Sequence, residues 1–256
     1  MKRALITLFG VILLGVPAVS FAGECADVNN SGAVNLLDIT YLINYLYKEG
    51  PAPDCGPETG TVSDIDGNTY LTIKIGDQWW MTENLKVTHY RNGDPISNVT
   101  DDGTWETLTT GAYCEYNNDI GNVATYGRLY NWFAVDDSRN IAPEGWHVPS
   151  QADWQILIDY LGGNAIAGGK MKEAGTAHWD DPNTGATNES GFTALPGGYR
   201  SLGGPYAHMG LWGFFWSSTE ENVNSAYYSY MGYDNTEVNS IWNDKEIGIS
   251  IRCIKD

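Results

Sequence analysis

The sequence predicts an α+β protein in two parts, and three observations carry that prediction. Strand-like alternation marks both ends of a long body, and helix-spaced apolar residues lie between those ends. Ahead of the body stands a short oxygen-rich loop that runs into its own helical pattern.

Residues 1–22, MKRALITLFGVILLGVPAVSFA, combine a basic start, an apolar run and the small-residue site Ser20-Phe21-Ala22. They read as a secretory signal peptide outside the fold. No lipobox precedes Cys25, and no other stretch reaches the length of a membrane span. Residues 23–56 form the first module. Within it, residues 27–38 read DVNNSGAVNLLD. Asp27, Asn29 and Ser31 place side-chain oxygens at alternate positions of a calcium loop, and Gly32 takes the sharp turn. Ala33 offers a carbonyl, Asn35 follows, and Asp38 closes the ladder. A Ca2+ ion wants several oxygens converging from one short segment, and this spacing supplies them. The competing reading is an Asx-rich turn that only caps a helix. With Asp27 and Asp38 the loop's two carboxylates, affinity is expected to be weak, about 0.1–1 mM. Behind the loop, Ile39, Leu42, Ile43 and Leu46 recur at helical spacing.

Pro and Gly crowd the stretch after that helix, residues 57–61 read as linker, and the body runs over 62–256. Asp66-Gly67-Asn68 predicts a tight hairpin turn, followed by Tyr70, Thr72 and Lys74 alternating with Leu71, Ile73 and Ile75. A helix is predicted over TYGRLYNWFAV, with Leu129, Trp132 and Phe133 on one face. A second starts at the N-cap Ser150, with Asp153 three residues on, and stops at Gly162-Gly163. From Gly163 to Gly213 the composition predicts long irregular loops. GFFWSSTE, AYYSYMGYD and GISIRCIKD then read as strands, and the terminal strands are expected to be neighbours in one sheet.

The formal net charge of −18 disfavours phosphate backbones and anionic membranes, so neither nucleic acid nor membrane insertion is expected. Four cysteines allow three pairings, of which Cys25–Cys55 and Cys114–Cys253 are expected, the first stapling a module too small for its own core. No GxSxG, HExxH, Walker or dinucleotide motif occurs, and the four histidines are scattered, so a non-enzymatic role is expected. His147 is expected to pack or hydrogen-bond at a helix start.

Two binding ideas remain open. Trp242-Asn243-Asp244 matches a lectin triplet in which Asn243 and Asp244 would hold calcium for sugar, or it is a core tryptophan followed by a turn. Trp179, Trp212, Tyr228 and Tyr230 are candidate platforms for sugar rings, although alternation turns about half of AYYSYMGY inward.

Residues 27–38 with the helix behind them resemble a dockerin type I repeat, which implies calcium binding and a cohesin-like partner. This chain has one such repeat where two are usual, Ser31 where a carboxylate is usual, and Leu36 and Leu37 at the recognition positions. The body resembles the Fibrobacter succinogenes major paralogous domain. The resemblance rests on DIDGNTY, IGDQWWMTENL, YCEYNND, YGRLYNWFAV, GWHVPSQADWQIL, GFTALPGGYR, FFWSSTE and ISIRCIKD, in that order over 62–256. It implies a C-type-lectin-like fold, related also to formylglycine-generating proteins. That chemistry needs a close cysteine pair near the end, where Cys253 stands alone. The sequence therefore reads as a secreted, non-catalytic protein binding a glycan or another cell-surface ligand. Its alternative is a component of an extracellular polysaccharide-degrading assembly docked through the repeat. An enzyme on a formylglycine-generating-type scaffold is a third reading.

Overall fold

The structure, a computed structural model, describes residues 36–48 and 56–256. It divides into two compact units, Met1–Glu58 and Thr59–Asp256. In the first, helix α1 (Leu36–Lys48) has an acidic first turn and a basic last turn, both favourable to its dipole. Its one buried residue is Asp38, while Leu36 and Leu37 are exposed. The loop Asp27–Asn35, Cys25 and Cys55 lie outside the described residues.

The second unit opens with β1 (Thr59–Ser63), so part of the stretch read as linker is strand. Then come β2 (Thr69–Ile75), β3 (Gln78–Met81), β4 (Ser97–Asn98), α2 (Asp102–Glu106), β5 (Ala112–Cys114), α3 (Val123–Tyr126) and β6 (Leu129–Tyr130). They are followed by α4 (Trp132–Val135), β7 (Trp146–His147), α5 (Gln151–Tyr160), α6 (Asn164–Met171), β8 (Gly197–Arg200) and β9 (Tyr206–Met209). The unit closes with β10 (Trp212–Asn222), β11 (Ser225–Gly232), β12 (Asn239–Asp244) and β13 (Ile254–Lys255). Mixed helix and sheet in this order is an α+β plan.

The main sheet runs β1-β2-β3-β13-β7, so the body's first and last strands share one sheet, but β13 pairs with β3 and β7 rather than with β1 as expected. The β1–β2 hairpin closes over Asp64–Asn68: Asp64 Oδ1 accepts from the backbone N–H of Asp66 (3.0 Å) and Asn68 (2.9 Å). On β2 it is Tyr70 that is buried and Leu71 that is 60% exposed. Tyr70 hydroxyl donates to Asp64 Oδ2 at 2.6 Å and accepts from Lys86 N–H, which makes its burial polar-satisfied.

α5 carries the predicted capping box, with Ser150 and Asp153 bonded reciprocally, and it stops at Gly162 and Gly163, both at positive φ. Its Trp154 and Leu157 join Trp80, Phe192 and Phe215 in one core cluster; a second gathers around Trp216, Tyr130 and Ile251. His147, on β7, binds Asp256 Oδ1 through Nδ1 at 2.7 Å and lies 3.5 Å from Asp153.

Several expectations need correcting. TYGRLYNWFAV is not one helix but α3, β6 and α4 in succession. Gly127 breaks it at φ +73, pressed against Asn84 and Leu85 where a Cβ would come within 2.7 Å. Pairing of Tyr130 with Tyr113, and of Leu129 with Cys114, then pulls the next two residues into a strand. GISIRCIKD is mostly irregular, with only Ile254–Lys255 as strand. Inside the expected loop region stand α6, β8 and β9. α6 survives two internal glycines because they admit close backbone: a Cβ at Gly168 would sit 2.3 Å from Glu237 O.

The Cys114–Cys253 bridge is not formed. Both are buried free thiols, and they belong to different core clusters. Burial pushes the Cys114 thiol up to about 11 and the Cys253 thiol further. In a thiol-labelling experiment, peptides holding Cys114 and Cys253 are expected to carry label only when the reagent is added after denaturation; label on native protein would contradict the packing.

Lys172 is buried and donates to Thr184 O (3.1 Å), Gly232 O (2.8 Å) and Asn235 O (2.8 Å). Burial lowers its pKa to about 8, with Asp234 opposing. The unfolded chain therefore holds this proton more tightly from about pH 8 to 10.5, and stability rises with pH across that window. Urea titrations are expected to show the parent gaining about 2 kcal/mol over Lys172→Met between about pH 7 and pH 9.5. A constant difference between the two would rule out the shift.

Candidate functional site

Strands β10, β11 and β12 form an antiparallel sheet in which Phe214 faces Tyr230, Trp216 faces Tyr228, and Tyr228 faces Ile241. Side chains alternate across a sheet, so Trp212, Phe214, Trp216, Tyr228 and Tyr230 share one face. The inner end of that face is core: Trp216 is fully buried and its indole donates to Tyr130 O at 2.8 Å. Toward the outer end Trp212, Phe214 and Tyr230 emerge half-buried, and Ile241 beside them is 46% exposed. The core runs out into the surface as a wall of rings.

The rings touch in sequence. Trp212 and Phe214 centroids are 6.5 Å apart with planes 25° from parallel, and Tyr230 lies 5.6 Å from Trp212 and 6.1 Å from Phe214. Tyr228 closes against Phe214 and Tyr230 at 5.9 and 5.8 Å. From the neighbouring β8–β9 hairpin, Tyr199 meets Phe214 edge-on at 5.4 Å, and His208 stacks on Tyr199 at 5.5 Å. Such contacts add about 0.5–1.5 kcal/mol each beyond burial, so the wall is a rigid surface. Burial raises the Tyr228 hydroxyl pKa and Tyr230 adds to the rise, while a hydrogen bond with Asn243 opposes it.

His208 reaches Tyr199 through an irregularity. Gly198 and His208 both have positive φ, +63 and +66, in the middle of the hairpin. That left-handed backbone takes His208 out of strict alternation and onto the ring side of Tyr199. Gly198 is obligatory there, since a Cβ would meet Ala207 O at 2.4 Å and Met209 N at 2.6 Å.

Of the residues singled out by sequence, Trp212, Tyr228 and Tyr230 come together on this wall. Trp179 does not: it is 1% exposed, its indole donates to Ala194 O at 2.9 Å, and the Lys172 ammonium lies over its ring. It is a core residue, and the sugar-platform expectation for it is withdrawn. Asn243 and Asp244 lie within β12, not in a turn, and Trp242 is 51% exposed rather than core. Asn243 Oδ1 accepts from Asp244 N–H at 2.9 Å. Among the described residues no group of three or more His, Cys, Asp or Glu converges to hold a metal. The lectin-triplet reading thus finds no converging donor set.

Tyr199, Phe214 and His208 were missed. Phe214 was legible, since Trp212 and Phe214 are two apart in a strand; the other two join only through the β8–β9 hairpin. A separate cavity of about 200 Å3, lined by Asp64, Arg91 and Glu144 among others, is smaller than the usual site for a small organic ligand. In the described residues no helix is long and apolar enough to cross a membrane.

Fold and face together define an α+β domain that presents an aromatic sheet surface and follows a distinct N-terminal module. The chain belongs to the Fibrobacter succinogenes major domain family, whose model matches residues 73–255. Ahead of it, the model of the dockerin type I domain matches residues 25–71. Dockerin domains in general bind calcium and cohesins, and they occur in extracellular or cell-surface proteins. This second match runs on through β1 into β2; between them Asp64 Oδ1 closes the hairpin turn, while the Asp66 carboxylate accepts from the Thr88 N–H and hydroxyl. No curated protein and no solved structure matches the chain.

Gly198→Ala is expected to lower unfolding free energy by about 2–3 kcal/mol, through the positive φ and the backbone clash together. Urea denaturation measures it, and a loss under about 0.5 kcal/mol would mean the hairpin does not need the glycine.

Proposed function

We propose that this chain is a secreted, non-catalytic component of an extracellular assembly. Its calcium-dependent N-terminal module docks to a cohesin-like partner, and its body holds a glycan or another cell-surface ligand. The observation that carries the reading is the dockerin type I match at 25–71 joined to a domain with an aromatic wall. The start of the chain, with its basic residues, apolar run and small-residue site, supports export.

Calcium fits the residues present. Asp38 is 3% exposed in a helix whose Leu36 and Leu37 are exposed, and a carboxylate that buried needs polar or cationic partners. Asp27, Asn29, Ser31, Asn35 and Asp38 side chains with the Ala33 carbonyl would hold the ion. When bound, it would supply the charge that lets two acidic side chains and several carbonyl dipoles pack in one loop. The pairing Cys25–Cys55 would close the same module. For the body, a C-type-lectin-like shape is part of this reading, supported by the opening hairpin and the closing strand β13 sharing one sheet.

The test is capture of the full chain on a panel of immobilised cohesin modules, with calcium and then with chelator. Calcium-dependent capture, reduced about tenfold or more by Asp27→Ala or Asp38→Ala, is expected. Capture that ignores chelator would overturn the calcium-docking mechanism. Absence of capture by every cohesin would remove the assembly from the proposal.

A further inference from the structure

We propose that the aromatic wall binds an uncharged linear polysaccharide, seated on Trp212 and read at its edge by Asp234. This rests on the ligand-holding role proposed above for the body and names its ligand class and its contact residues.

Trp212 is seated as a platform would be. It pairs across the sheet with Gly232, and a Cβ at Gly232 would meet the Trp212 ring at 2.7 Å. The missing side chain lets the indole lie over the strand at Gly232, and Trp212 stays half-buried at the surface. Beneath this seat Gly232 O accepts from the buried Lys172 ammonium at 2.8 Å, which fixes the strand at that point. Phe214 and Tyr230 continue the surface, and Tyr199 and His208 extend it onto the next hairpin. A row of rings several side chains long suits an extended oligomer rather than a single sugar. Pyranose rings with equatorial hydroxyls present flat C–H faces to aromatic rings, and β-linked chains repeat that face along their length.

The charge pattern selects among polysaccharides. The same added Cβ at Gly232 would lie 3.0 Å from Asp234 Oδ1, so the carboxylate and the indole both crowd this one position. Asp234 is exposed, and its Oδ1 accepts from Asn235 Nδ2, leaving Oδ2 and further lone pairs for hydroxyl donors. The wall residues Tyr199, Trp212, Phe214, Tyr228 and Tyr230 include no cation, and the whole chain carries a formal net charge of −18. A carboxylate accepts from sugar hydroxyls and repels sugar carboxylates, so uronic-acid chains are disfavoured where neutral chains are welcomed.

Affinity gel electrophoresis of the full chain tests this, with hydroxyethylcellulose and xyloglucan as neutral probes and polygalacturonate as the anionic one. Retardation by at least one neutral probe and none by polygalacturonate is expected. Trp212→Ala is expected to weaken retention about tenfold and Asp234→Asn severalfold, while Trp242→Ala, an exposed indole off the wall, leaves it unchanged. Asp234→Asn changes an exposed side chain, so it reads the site even if Trp212→Ala fails to fold. Neutral-chain retention that survives both wall variants would overturn the inference and leave the ligand-holding body standing. Equal or stronger retention on polygalacturonate would do the same. Silence on all three probes would overturn the inference, while cohesin capture separately decides the docking role.

Discussion

Backbone carbonyls outside regular structure have to find donors, and in this body that constraint is met by buried cations. Arg252 is the central case. It is fully buried, with no carboxylate among its hydrogen-bond partners: Nε and Nη2 donate to Asn84 Oδ1 at 3.2 and 2.7 Å, and the other donors reach the carbonyls of Phe192 and Thr193. Its guanidinium carbon lies 4.3 Å from the Phe192 ring centroid and 5.3 Å from that of Phe215. Asn84 passes the restraint on, donating to Tyr126 O and Ser250 Oγ. One side chain thus ties the segment after β3 and the loop before β8 to the last strands. Burial lowers the Arg252 pKa and the Glu83 charge opposes the fall, while Asn84 Oδ1 and the Phe192 carbonyl replace the lost solvent as acceptors.

The same solution recurs three times. Arg200 spans the carbonyls of Val99, Thr100 and Gly204 and pairs with Asp102 at 2.8 Å, its plane against Trp105 and Tyr206. Lys245 joins Glu220 and Val223 O over the Trp132 ring. Lys172 collects three loop carbonyls under the aromatic wall. In a strongly acidic chain these cations are used inside, where the many short strands leave acceptors unpaired. The outer surface is left acidic, and the aromatic wall is held from below by one of these clamps.

That arrangement links fold to proposed function directly. The wall is continuous with the core, so its outer rings inherit the positional order of Trp216 and its neighbours. A binding surface built this way loses little conformational entropy on engaging a ligand, because the rings are already placed. In the proposed reading the N-terminal module adds a different physics, with the oxygen donors of residues 27–38 gathered by calcium.

Local chemistry settled what was legible beforehand. The capping box at Ser150, the double-glycine stop, the Asp66-Gly67-Asn68 turn and the sharing of one sheet by the terminal strands all depend on neighbouring residues or on simple packing of amphipathic strands. The aromatic strands β10 and β11 were visible for the same reason, as short-range spacing. Tertiary structure decided the rest. TYGRLYNWFAV has a helical period, yet Gly127 and pairing with β5 divide it; WND looks like core and turn, yet pairing with β11 makes it an edge strand. Trp179 and Trp212 both stand in glycine-rich segments, and only contacts from distant residues put one in the core and the other on the surface. Cysteine placement suggested a bridge, yet Cys114 and Cys253 are free thiols buried in different core clusters. The sequence by itself determined where local order starts and stops, as at the Ser150 capping box and the Gly162-Gly163 stop, because those signals lie within a few residues. Which aromatics share a face, and which cations go inside, depend on pairings between residues far apart in the chain, and no local pattern encodes them.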